Sequence, residues 1–261
     1  MATIRPFRGY RYNPDSFCDL SDVITAPYDR IHEAEQARYY EQSAYSFARI
    51  IQGGTTSEDD DENNVYTRAA WYKRNWLAEG GLVRDPAPAL YALEQRFTTP
   101  DGEDHVRRGL TAALELTTFE EGVVLPHERT LSGPKADRLK LTAATETAWG
   151  HVFMLYPDLQ SVINERLQPF LDTHMPAIVY DPVVEPDVEQ NFWVVNDADV
   201  VADVVQAMTA IKPLIIADGH HRYETALAYR DMMRARHPDA PENAAFNYAL
   251  VTLVSMTDPG L

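Results

Sequence analysis

Residues 212–230, with the sequence KPLIIADGHHRYETALAYR, constrain the fold of this chain more than any other stretch. Residues 214–217 form a short apolar run rich in β-branched side chains, which is typical of a buried strand. Asp218 and Gly219 end that run, and from Tyr223 onward apolar and aromatic residues recur at helical spacing. The sequence therefore predicts a buried strand that turns sharply into a helix.

A turn of this kind is suited to binding an anion. The first backbone N–H groups of a helix lack intrahelical partners and carry partial positive charge. Gly219 has no Cβ to block close approach, and Arg222 can make a bidentate contact with phosphate. We therefore expect Gly219, His220, His221 and Arg222 to bind the phosphates of a nucleotide. Either histidine could instead fix the turn, and Asp218 could cap the helix, hold Mg²⁺ or accept a proton.

A second candidate segment covers residues 126–138, with the sequence PHERTLSGPKADR. In an otherwise acidic chain it places three cationic side chains beside Glu128. Charge neutralisation and a carboxylate base are what phosphoryl transfer to a hydroxyl requires. We therefore expect Glu128 and His127 to be catalytic, together with Asp218, and Lys135 and Arg138 to contact the nucleotide. An ordinary polar surface loop is the alternative reading of this segment.

The third candidate segment is APYD at residues 26–29. Its proline makes the turn rigid, and Tyr28 could stack on a nucleotide base or simply pack against its neighbours. The chain contains neither a His-Glu-x-x-His motif nor a Cys/His cluster, so we expect no metal site built from protein ligands alone.

Periodicity and turn residues predict the remaining elements. The predicted helices cover residues 33–45, 65–78, 137–145 and 197–211. A hairpin is expected from residues 89–97 and 106–116, around the turn Pro100-Asp101-Gly102. Further strands are expected at residues 152–156, 177–181 and 192–195.

Six short motifs occur in one order along the chain, namely IRPF (4–7), APYD (26–29), YSFAR (45–49), PHERT (126–130), KADRL (135–139) and DGHHRY (218–223). This series resembles domain-of-unknown-function family 1015, and ADGHHRYETA resembles the phosphate loop of the ParB/sulfiredoxin superfamily. The resemblance implies an α+β fold with a mixed sheet and helices. It also implies a ParB/sulfiredoxin-like nucleotide-binding core at residues 151–261, and an N-terminal lobe at residues 1–150 that lines the cleft.

The superfamily also suggests an activity. Its free-serine kinases hold a nucleotide on a similar loop while a carboxylate activates the substrate hydroxyl. The resemblance thus implies a nucleotide-dependent phosphotransferase that acts on a small hydroxyl metabolite such as serine, with ATP, ADP or another nucleotide and with Mg²⁺ as a candidate ion. A non-catalytic nucleotide sensor and a phosphoester hydrolase (a phosphatase or nuclease) are the alternatives. Sulfiredoxins carry their catalytic cysteine where this chain has His220, so thiol-based sulfinate reduction is not expected.

Composition limits the partners. The formal net charge is −17 over 261 residues, which argues against binding to duplex DNA, an activity of ParB proteins. Cys18 is the only cysteine, so an internal disulfide is impossible and a reducing compartment fits. The N-terminus lacks the apolar stretch of a signal peptide, and no apolar run is long enough to span a membrane. We therefore expect a cytoplasmic protein without nucleic-acid or membrane partners, and the sequence leaves its oligomeric state open.

The last residues, DPGL at 258–261, form a turn signal that predicts a further element. Members of the resembled family continue beyond this point into a segment with a Pro-Thr-His-Arg element. We therefore expect this chain to be shortened at its C-terminus relative to the family.

Overall fold

The computed structural model of the protein describes residues 1–17, 19–127, 133–180 and 188–261. These residues form seven α-helices and eleven strands. The helices are α1 Glu33–Gln42, α2 Ala48–Ile51, α3 Val65–Glu79, α4 Gly133–Thr145, α5 Val162–Thr173, α6 Ala198–Met208 and α7 His220–Arg236. The strands are β1 Ile4–Arg5, β2 Tyr10–Tyr12, β3 Leu82–Arg84, β4 Leu90–Thr98, β5 Asp104–Glu115, β6 Val124–Leu125, β7 Val152–Tyr156, β8 Ile178–Tyr180, β9 Val188–Val195, β10 Leu214–Asp218 and β11 Tyr248–Ser255.

Nine of these strands form one mixed sheet in the order β6-β10-β7-β11-β5-β4-β9-β8, and β1 pairs with β5 outside that path. The β6–β10 and β7–β11 pairs are parallel, whereas the other pairs are antiparallel. Strands β2 and β3 form a separate two-stranded sheet. The predicted α+β class with a mixed sheet and helices is confirmed.

Two hydrophobic clusters hold these layers together. The larger one joins the sheet to α5, α6 and α7, through residues such as Leu110, Ile163 and Met208 that are almost fully buried. The smaller one joins the four helices α1, α2, α3 and α4 around Trp76 and Ile50. Burying one such aliphatic side chain contributes about 1.5–3 kcal/mol, so both clusters are substantial sources of stability.

Most predicted elements are present with shifted ends. The hairpin is the antiparallel β4–β5 pair. The predicted helix at 65–78 is α3, and Gly80 follows its last residue in a left-handed conformation with φ of 80°. Helix α5 and strand β11 were not predicted. The nine-stranded sheet takes strands from both sides of residue 150, so the proposed lobes at 1–150 and 151–261 share a sheet, and the division remains a prediction.

None of the helices in the described ranges is long and apolar enough to cross a membrane.

Candidate functional site

The predicted strand-to-helix turn is present at the junction of β10 and α7. Strand β10 ends at Asp218, Gly219 follows with φ of 92°, and α7 begins at His220. A Cβ on residue 219 would lie 2.9 Å from Arg222 Nε, so both the backbone conformation and the contact favour glycine here. The helix starts three residues before the predicted Tyr223, which places His220, His221 and Arg222 in its first turn. No side chain among the described residues caps this helix start, so its first N–H groups remain suited to an anion.

The Arg222 guanidinium is held in place by two contacts. It donates one hydrogen bond to the carboxylate of Asp218 and another to the backbone oxygen of His151. Its side chain is 28% exposed and that of Asp218 is 71% exposed. Because a guanidinium has five N–H groups, these contacts leave donors for a bound anion.

His220 lies inside the protein, where it connects two of the predicted motifs. Its residue surface is only 2% exposed, and its Nε2 accepts a hydrogen bond from the backbone N–H of His127 at 3.2 Å. The two imidazole rings meet edge to face at 4.5 Å. His127 Nδ1 lies 2.5 Å from the backbone oxygen of Ile216, and since a carbonyl only accepts, this nitrogen carries the proton. These contacts fix the start of the 126–138 segment against β10 and α7.

His221 differs from His220. It is half-buried, and its Nδ1 is a buried atom that has no hydrogen-bond partner among the described residues. A buried polar atom without a partner is unfavourable unless a ligand or water satisfies it. The alternative role of fixing the turn by a hydrogen bond is thus seen for His220 and not for this nitrogen of His221.

The two cations of the 126–138 segment that lie in the described residues, Lys135 and Arg138, take different positions on α4. Lys135 Nζ forms an ion pair with Glu224 Oε2 of α7 at 2.5 Å, so its charge is balanced at the α4–α7 contact. Arg138 donates to the carboxylate of Asp137 and, at 2.8 Å, to the backbone oxygen of Ile51. Its guanidinium also lies 4.3 Å from the centre of the Tyr28 ring. Tyr28 therefore packs one face against a cation, which is a favourable contact.

A cavity of about 860 Å³ lies where these segments meet. Of the residues predicted from the sequence, Tyr28, Arg138, Asp218 and Arg222 line it. The other predicted residues of the described ranges do not line this cavity, namely His127, Lys135, Gly219, His220 and His221. Glu128, the predicted base, lies outside the described residues, as does the rest of 128–132.

One face of α7 forms a long wall of this first cavity. The wall consists of Arg222, Thr225, Ala226, Tyr229 and Met233, whose spacing places them on one side of a helix. At 1.5 Å per residue this wall extends about 16 Å from Arg222 to Met233. Its character changes from charged at Arg222 to apolar and aromatic at Tyr229 and Met233, as a molecule with an anionic end and an apolar end requires.

Several of these wall residues were missed from the sequence. Thr225 is 4% exposed, and its hydroxyl has no hydrogen-bond partner among the described residues. Helical spacing from Arg222 would have identified it. Trp149 also lines the cavity, and its ring meets that of Phe47 edge to face at 5.8 Å. Trp149 lies far from the other motifs in the chain, and no sequence signal connects it with them.

Within the described ranges, no group of three or more His, Cys, Asp and Glu side chains is arranged to hold a metal ion. Mg²⁺ commonly binds through one or two carboxylates and the substrate's phosphates, with water filling the remaining positions. Asp218, at the rim of the cavity, is thus able to contribute one ligand to an ion that arrives with a nucleotide.

His151 adjoins the site on the sheet side. Its backbone oxygen accepts from Arg222, and its Nδ1 lies 2.6 Å from the Thr252 hydroxyl. Partial desolvation of the imidazole by surrounding protein, followed by the nearby Arg222 charge, lowers the pKa of His151 from 6.5 to about 4. The desolvation is partial because the residue keeps an exposed surface. Its imidazole is neutral at pH 7.

This lowered pKa predicts how stability depends on pH. Between pH 6.5 and about 4 the unfolded chain binds a proton at His151 that the folded chain does not, so this residue's contribution is present above pH 6.5 and is lost as pH falls through that window. His151→Gln should therefore unfold with a shallower pH dependence than the wild type over this range. Thermal unfolding at several pH values measures this, and imidazole NMR gives the pKa directly. A His151 pKa near 6.5 would contradict it.

Comparison with curated proteins and with solved structures found no match. A family model does match, over residues 4–261, and its description is protein of unknown function (DUF1015). The match covers nearly the whole chain and includes every segment that forms the first cavity. The protein therefore belongs to the DUF1015 family.

Proposed function

We propose that this protein is a nucleotide-dependent phosphotransferase that acts on a small hydroxyl metabolite, with serine as a first candidate. One observation carries the proposal, namely that a single cavity is lined by Asp218 and Arg222 at a helix start and by Tyr28 and Arg138 from two distant segments. These are the groups expected around the phosphates of a nucleotide. The ParB/sulfiredoxin-like core is part of the proposal, supported by the β10–Gly219–α7 turn.

The dimensions of the cavity support a nucleotide as the cofactor, whether ATP, ADP or another. Small-molecule sites usually measure about 300–1,000 Å³, and the first cavity has about 860 Å³. With the phosphates at Arg222 and the helix start, the apolar end of the α7 wall would receive the nucleoside. We also propose that the protein works in the cytoplasm, where its single cysteine would stay reduced.

The proposed transfer is a displacement at the terminal phosphorus of the nucleotide. The acceptor oxygen forms a new bond to that phosphorus, and the bond from phosphorus to the bridging oxygen breaks. The hydroxyl proton passes to a carboxylate, for which Glu128 is our candidate, and the electron pair of the broken bond stays on the nucleotide that has lost its terminal phosphoryl group (ADP when ATP is the donor). Arg222 and Arg138 would offset the charge on the phosphoryl oxygens.

Phosphorus NMR tests this proposal against its alternatives. The protein is incubated with ATP, ADP or CTP, with Mg²⁺ and with a set of small alcohols that includes serine. A new phosphate-ester signal supports the transferase, whereas release of inorganic phosphate alone would indicate a hydrolase. Binding without turnover would indicate a nucleotide sensor. Either of the last two results would overturn the transferase assignment.

A separate prediction concerns nucleic acid. With a net charge of −17, the protein should not shift random duplex DNA at moderate salt and micromolar concentration, because non-specific binding depends on cations that neutralise phosphates. An electrophoretic mobility assay measures this. A shift that weakens as salt is raised would contradict the prediction and favour a ParB-like role.

A further inference from the structure

A second cavity, of about 390 Å³, lies beside the first one, between the large sheet and the small sheet. Its floor includes Ile178, Phe192 and Leu93, which pair in one register row across β8, β9 and β4. Residues that pair directly point to the same face of a sheet. Tyr10 and Tyr12 of β2 cover this floor from the other side.

The walls of the second cavity are almost entirely apolar or aromatic. Its one arginine, Arg11, is held by Asp85 at 2.9 Å, and the Tyr12 hydroxyl donates to the backbone oxygen of Tyr45 at 2.7 Å. Both polar groups are therefore already satisfied by the protein. An apolar lining with few available polar groups selects a ligand with an apolar body.

Besides Arg11 and the tyrosines, His151 and Gln190 are the polar residues of this lining, and a hydrogen bond fixes the orientation of the His151 ring. Its Nδ1 is engaged by Thr252, while its Nε2 has no hydrogen-bond partner among the described residues. The ring borders the second cavity and keeps an exposed surface. A neutral imidazole with one nitrogen fixed presents the other nitrogen as a single directed donor or acceptor. This geometry suits one hydroxyl group on an otherwise apolar molecule.

The size of the cavity limits the ligand further. A closed cavity of about 150 Å³ is enough to take up benzene, so 390 Å³ accommodates one ring with a substituent. We propose that the second cavity is a binding site for a small aromatic alcohol whose hydroxyl contacts His151. Phe47 and Trp149 line both cavities, so this ligand would lie next to the first cavity. The proposal does not depend on nucleotide binding.

Ligand-observed NMR with 2-phenylethanol as the probe tests this site in the full chain without nucleotide. We expect binding at millimolar probe, and Ile178→Trp should weaken it about tenfold or more, because the indole fills the cavity. Leu93→Trp fills the same space from β4 and serves if the first variant does not fold. Val179→Trp is the matched control, since Val179 is the next residue of β8 and is 61% exposed.

His151→Phe tests the hydroxyl contact separately. The wild type should prefer 2-phenylethanol over its methyl ether by about fivefold, as one net hydrogen bond allows, and the variant should lose that preference. Thermal unfolding confirms that each variant is folded. Absence of binding to the wild type, or binding that neither cavity-filling variant weakens, would overturn the proposal whatever the outcome of the nucleotide assays.

Discussion

Arg222→Ala is expected to weaken ATP binding by about 2 kcal/mol, or roughly 30-fold, while leaving the unfolding temperature nearly unchanged. The guanidinium is already oriented by Asp218 and by the His151 backbone oxygen, so little conformational freedom is lost when it contacts phosphate. Its ion pair with Asp218 joins the end of β10 to the first turn of α7 and is partly exposed, and exposed pairs add only about 0.2–1 kcal/mol to stability. Isothermal titration calorimetry measures the affinity.

Arg236→Ala provides the matched control, because Arg236 lies in the last turn of the same helix and does not line the first cavity. It removes the same charge, so a purely long-range electrostatic effect would weaken ATP binding similarly in both variants. An unaltered isotherm for Arg222→Ala would show that Arg222 is not a phosphate ligand.

Glu128→Gln is expected to lower turnover by at least about 100-fold while ATP still binds with wild-type affinity. A general base typically contributes 10²–10⁴-fold to a rate, and the amide keeps the shape of the side chain while removing its basicity. Glu128 directly follows His127 in the sequence, and the backbone N–H of His127 donates a hydrogen bond to His220. Phosphorus NMR for turnover and calorimetry for binding give the two quantities separately.

The control for this variant is Glu120→Gln, which removes an exposed carboxylate in the short helix Phe119–Glu121. It should leave both turnover and binding unchanged. If Glu128→Gln turned over at the wild-type rate, the base would have to be another group, and the 126–138 segment would lose its proposed catalytic role.

The sequence predicted best those elements whose local pattern agrees with their final environment. The β10–α7 turn is an example, because Gly219 and the apolar run before it specify the turn locally. Helix α5 was missed since Pro169 lies inside it, and proline normally ends a helix. Its buried Ile163, Leu167 and Phe170 recur at helical spacing, and their packing outweighs that cost.

Strand β11 was missed for a different reason. Its sequence YALVTLVS is almost continuously apolar, and such a run fits a buried helix as well as a buried strand. Its pairing with β5 on one side and β7 on the other makes this run a strand and not a helix. Pairing partners distant in the chain are not encoded in local periodicity.

In the candidate site, too, local motifs could be read from the sequence whereas contacts between distant segments could not. Tyr28, Arg138, Asp218 and Arg222 were identified from local motifs, and all four line the first cavity. Trp149 and His151 were not, because their positions beside Phe47 and Arg222 arise only from the packing of distant segments. For His220 the sequence left phosphate contact and turn fixing open, and the buried ring accepts a hydrogen bond from His127.

The central claim is that the first cavity holds a nucleotide with its phosphates at the start of α7. A crystal structure of the protein with a non-hydrolysable ATP analogue and Mg²⁺ tests it most directly. We predict phosphate density within hydrogen-bonding distance of the Gly219–Arg222 backbone N–H groups and the Arg222 guanidinium, with the nucleoside extending along α7 toward Tyr229 and Met233. Analogue density outside this cavity, or an empty cavity at saturating analogue, would contradict the claim.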